Sequence, residues 1–78
     1  MVSYNPLWMT LISKNMKRTD LIGLIGLSSA TISKMGKNEY IALNVIEKIC
    51  MELDCSIEEV VEIKKDEEDM KKVSENNV

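Results

Sequence analysis

Seventy-eight residues with 13 acidic and 10 basic side chains, no histidine and a net charge of −3 make one small domain, whose core must be helical and tightly packed to be stable without staples. Cys50 and Cys55 stand five apart with no C-x-x-C pair and no histidine nearby, which excludes a zinc site and leaves two reduced thiols. No secretory segment or long apolar run is present, so the expectation is a cytoplasmic chain that needs no membrane, metal or cofactor.

In chain order, Met1 to Tyr4 form a short arm that either adds a strand to a partner or trails. Asn5-Pro6 reads as an N-cap followed by proline at the first helical position. Leu7, Trp8, Leu11 and Ile12 recur at three- and four-residue spacing, predicting a helix that ends near Lys14-Asn15, with Asn15 able to take the left-handed cap. Trp8, the only tryptophan, is expected to anchor this helix in the core; the other reading is a platform on which a base stacks.

A second helix opens around Lys17 to Thr19, with Asp20 in its first turn, where a carboxylate suits the positive helix end. Leu21 and Ile25, four apart, share one face. Gly26 interrupts the apolar run where the helix must stop, because glycine takes the left-handed turn without steric cost. Leu27 plugs the corner, and Ser28 is placed to cap a third helix over about 28–35, with Ile32 and Met35 on its inner face. Two short helices joined by a glycine corner and a serine cap, spanning residues 18–37, have the layout of a helix-turn-helix.

The loop GKNEYIA leads to a fourth helix from about Leu43 to Leu53. Leu43, Ile46, Ile49, Cys50 and Leu53 line one face, Asn44, Glu47, Lys48 and Glu52 the other, and Met51 falls on the polar side. Ser56 to Glu59 has capping-box spacing, opening a fifth helix whose Ile57, Val60 and Val61 close the core against the first. The paired Glu58-Glu59 reads as helix-start charge, and with no cofactor motif or nucleophile-base pair the chain does not read as an enzyme. From Lys64 the tail alternates charge blocks; it is expected to extend the last helix through Glu67–Lys71 and Glu68–Lys72 pairs and then fray. The division is thus a domain over 1–63 and a charged tail over 64–78.

The net charge conceals a dipole. Residues 1–38 hold five cations against one acid, a net +4, whereas residues 39–63 hold one cation against seven acids, a net −6. A local field steers a ligand more than the total does, and the positive half contains the helix-turn-helix.

Arg18, Leu21, Ile25, Gly26, Leu27, Ile32 and Met35 together resemble the lambda-repressor-like, Cro-type family of DNA-binding domains over roughly residues 3 to 63. The resemblance implies an all-α, five-helix domain that binds double-stranded DNA. It departs at Ile22, where the family carries a small residue: either the isoleucine opens the interhelix angle, or it points outward and leaves Gly23 to allow the approach. Ser29, Ala30, Ser33 and Lys34 share the outward face of the third helix and are the candidates for reading base edges. By family position Arg18 clamps a phosphate with Lys17 beside it, Lys37 and Asn38 do so from the loop, and Thr31 either helps the cap or touches a phosphate. No Arg, Gln or Asn lies on the reading face, so specificity per monomer is modest and a homodimer on a two-fold-symmetric site is expected. The competing reading is a protein-binding module (an antitoxin, anti-repressor or accessory subunit) that uses the acidic half and exposed Ile22, Leu24 and Met51.

Overall fold

The computed structural model describes residues 1–65. Strand β1 (Val2–Ser3) precedes helices α1 (Asn5–Ser13), α2 (Asp20–Ile25), α3 (Ser29–Gly36) and α4 (Leu43–Leu53). A single 3-10 turn (Ile57–Glu59) and strand β2 (Glu62–Ile63) follow. The fold is mostly helical, and its core joins Leu7 and Leu11 of α1, Leu21 and Ile25 of α2, Met35 of α3 and Ile46, Ile49 and Leu53 of α4. In α1, α2 and α4 these residues recur at three- and four-residue spacings, so each of those helices turns one apolar stripe inward.

Three helices end in the same way with different residues. Asn15, Asn38 and Asp54 have φ of 56°, 58° and 51°, the left-handed region that Asn and Asp enter more readily than other side-chain-bearing residues. After each, an N–H reaches back five residues to close the last turn. Met16 donates to the Leu11 carbonyl at 2.8 Å, Glu39 to Lys34 at 3.0 Å and Cys55 to Cys50 at 3.0 Å. This is the Schellman closure, which satisfies carbonyls the helix leaves open. The Asn15 cap agrees with the sequence reading.

Several other expectations change. The N-cap of α1 is Tyr4 rather than Asn5, and the Asn5 N–H is taken by Ser3 Oγ at 3.3 Å, because the chain arrives from a strand that places Ser3 beneath the first turn. The arm of residues 1–4 neither trails nor awaits a partner: Val2 pairs with Ile63 and Ser3 with Glu62, antiparallel. The fifth helix is reduced to the 3-10 turn. Ser56 is extended as a cap would be, but its side chain accepts no backbone bond, so the capping box does not form. The Val60 carbonyl instead accepts from Leu7 N–H at 3.2 Å, and the β-branched run Val60-Val61 leads straight into β2. Val60 itself is fully buried, so the segment still closes the core against α1.

Ile12 and Leu43, expected inside, are exposed by 69% and 70%. Ile12 lies a quarter-turn off the Leu7–Leu11 stripe, and Leu43 opens α4 before it enters the core. The expected helical tail beyond residue 65 lies outside the described residues. No described helix is long and apolar enough to cross a membrane.

Candidate nucleic-acid interface

Asp20 opens the unit by accepting the Lys17 N–H on its carboxylate at 2.8 Å, which fixes the turn that carries Arg18. Gly26 ends α2 with φ +81°, its N–H bonded to the Ile22 carbonyl at 3.0 Å, and the Leu27 N–H reaches back to Leu21 at 3.4 Å. Leu27 is buried in the corner. Ser28 then caps α3, its Oγ accepting the Thr31 N–H at 3.1 Å, with Thr31 Oγ1 a further 3.0 Å contact. The sequence signals for stop, plug and start therefore each correspond to a bond or a burial.

Met35, fully buried, and half-buried Ile32 fix how α3 is rotated about its axis. That rotation leaves Ser29, Ala30, Ser33 and Lys34 exposed together. Lys17, Arg18, Lys37 and Asn38 are exposed at the two ends of the unit, while Thr31 is half-buried beside its cap. None of the cations of residues 1–38 forms an ion pair among the described residues; the pair that does form is Lys64–Glu62, at 3.6 Å.

Ile22 is exposed by 38%, and a Cβ built on Gly23 would meet nothing within 4 Å. Ile22 points outward, and Gly23 is not a site of close helix approach. The departure from the family pattern is therefore absorbed at the surface. Asn38 has more work than the sequence suggested: besides its left-handed turn, its Oδ1 accepts the Tyr4 N–H at 3.2 Å. Tyr4 in turn donates its hydroxyl to the Glu39 carbonyl at 2.7 Å, so the loop after α3 is tied to the start of α1.

Two placements were not legible beforehand. Lys48 of α4 brings its Nζ within 4.0 Å of where a Gly26 Cβ would stand, a cation at the negative end of α2. Its signal was its isolation as the one cation of residues 39–63. Trp8 is half-buried against the core, and Arg18 lies over its ring with the guanidinium carbon 3.8 Å from the centroid. A shallow pocket of about 210 Å³ adjoins that stack, lined by Trp8, Leu11, Ile12, Met16, Lys17 and Arg18. Burial pushes the Cys55 thiol up, with the neighbouring Cys50 adding to it, so Cys55 is not an activated nucleophile. Among the described residues no cluster of metal-ligating side chains forms.

The sequence matches the Cro/C1-type HTH DNA-binding domain over residues 6–66. The chain belongs to this Cro/C1-type family. Among solved structures, this Cro/C1-type domain is similar to the crystal structure of the transcriptional regulator VanUg. The two are 40% identical with a TM-score of 0.79, over 83% of this chain and 87% of that one. No curated protein sequence matches the chain.

Proposed function

We propose that this Cro/C1-type domain is a sequence-specific transcriptional regulator that lays α3 in the major groove of duplex DNA. The observation that carries the reading is the exposed set Ser29, Ala30, Ser33 and Lys34 on a helix held in place by the Ser28 cap and buried Met35. Lys34 can donate to guanine O6 and N7, Ser29 and Ser33 can donate or accept, and the Ala30 methyl suits a thymine methyl. Arg18, Lys17 and Lys37 supply phosphate contacts from the flanks. Asn38 has its carbonyl oxygen engaged by Tyr4, so its amide N–H₂ is the group offered to a phosphate. Thr31 serves the cap first and offers its hydroxyl second.

Serines and one lysine read less than a bidentate side chain, which gives about 1–3 kcal/mol per base pair. A homodimer with reading helices about 34 Å apart on a two-fold-symmetric site supplies the remaining discrimination. The test is selection of bound sequences from a random duplex pool, followed by affinity of the selected site at several salt concentrations. Arg18→Ala should weaken all sequences evenly and lower the salt slope by about 1, whereas Lys34→Ala should also blur one base preference. Unchanged affinity and slope in both variants would refute the assignment of this face.

One observation favours the second reading, a protein-binding module. Leu24 and Met51 are exposed by 66% and 77%. Retention on random duplex at low salt, lost as salt rises, separates the two readings.

A further inference from the structure

Trp8 and Arg18 belong to different parts of the chain, α1 and the turn before α2, yet they meet face to face at 3.8 Å. A planar guanidinium over an indole is held by the ring's electron-rich face and by dispersion. The same guanidinium also reaches α3. Its Nη1 lies 3.4 Å from where a Cβ on Gly36 would stand, ordinary contact distance beside the last position of α3. There the cation faces the negative end of the α3 dipole. Arg18 is thus gripped from two sides while remaining exposed.

A long side chain free in solvent must be ordered when it takes a phosphate, and that ordering weakens binding. One already stacked has lost the freedom on folding. We propose that Trp8 is a positioning residue for DNA binding: its indole face, with the open end of α3 at Gly36, holds the Arg18 guanidinium ready for a phosphate at the edge of the interface. The inference rests on the DNA-binding reading above and adds to it a residue of α1 that touches no nucleic acid itself. It also settles between the two sequence expectations for Trp8. With one face under Arg18 and the ring packed against the core, the indole is not a platform for a base.

The experiment is a double-mutant cycle on the full chain, reading duplex affinity and its salt slope for Trp8→Leu, Arg18→Ala and the two combined, with Trp8→Phe as the conservative variant. Trp8→Leu should weaken binding about three- to tenfold while keeping the salt slope that Arg18→Ala lowers, because the Arg18 charge still meets its phosphate. Added to Arg18→Ala it should cost nothing more, and Trp8→Phe, which keeps a π-face, should recover most of the loss. Losses that add in the double variant, or a Trp8→Phe as weak as Trp8→Leu, overturn the inference in favour of a packing role. Because Trp8 is the only tryptophan, its emission gives a readout that needs neither DNA nor the leucine variant. Arg18→Ala should shift that emission in the free protein; identical spectra would show no stack and overturn the inference. A wild-type chain that binds no duplex overturns the DNA-binding reading and this inference together, whereas additive losses in a chain that binds overturn this inference alone.

Discussion

At the scale of single residues, four of the described positions bend the chain into the left-handed region: Asn15, Gly26, Asn38 and Asp54. Gly26 was legible because only glycine enters that region freely and it interrupts an apolar run. Asn38 and Asp54 were not, since an asparagine in a polar loop or an aspartate after a helix fits many conformations equally well. By family position Asn38 is a phosphate contact, and its helix-closing role is visible only in the backbone. A Cβ at Gly26 would find open space, with Lys48 Nζ its nearest neighbour at 4.0 Å. Gly26→Ala should therefore lose about 1–2 kcal/mol by conformation rather than by collision. Ser28→Ala, which removes the acceptor for Thr31 N–H, should lose about 1 kcal/mol, both read as shifts in urea midpoint at constant slope.

Tyr4 changes its chemistry on folding. Burial pushes its hydroxyl up, and the Ile41 backbone opposes this only in part. The folded chain keeps that proton at pH values where the unfolded chain has lost it. Its contribution is therefore whole below about pH 10, the ordinary tyrosine value, and fades as pH rises beyond it. Tyr4→Phe should cost about 1 kcal/mol at neutral pH, through the lost bond to the Glu39 carbonyl. It should also flatten the fall of Tm at alkaline pH, which thermal melts across that range would show.

At the scale of elements, periodicity located α1 to α4, because each buries a stripe that repeats within its own sequence. It failed for the last element, where the partner is distant. The β1–β2 pair joins residues some sixty positions apart, the Lys64 N–H bonding to the Met1 carbonyl at 2.7 Å and the Met1 ammonium to the Lys64 carbonyl at 2.7 Å. No local signal announces such a pairing, whereas the capping-box spacing at Ser56 did argue for a helix. What overrode it was the burial of Val2 together with Val60. Removing residues 1–3 should cost about 2 kcal/mol, chiefly the burial of Val2. Amide exchange in that variant should lose protection at Lys64 while α3 stays protected.

At the scale of the whole molecule, the charge division was legible because it needs only position along the chain. The groove between β1, the loop after α3, the start of α4 and the 3-10 turn was not. Its walls include Val2, Tyr40, Leu43, Ile57 and Ile63, which come from three separate stretches, and it encloses about 400 Å³. The stack of Trp8 on Arg18 is a contact of the same non-local kind, and it links α1 to the face presented by α3.

Contact between the face presented by α3 and duplex DNA is read by following backbone amides by NMR as a duplex is added at low salt. Shifts gathered at residues 17–18 and 28–38, and reversed by added salt, are the predicted result. Amides that stay still there, or that move instead around Tyr40, Leu43, Ile57 and Ile63, would contradict it.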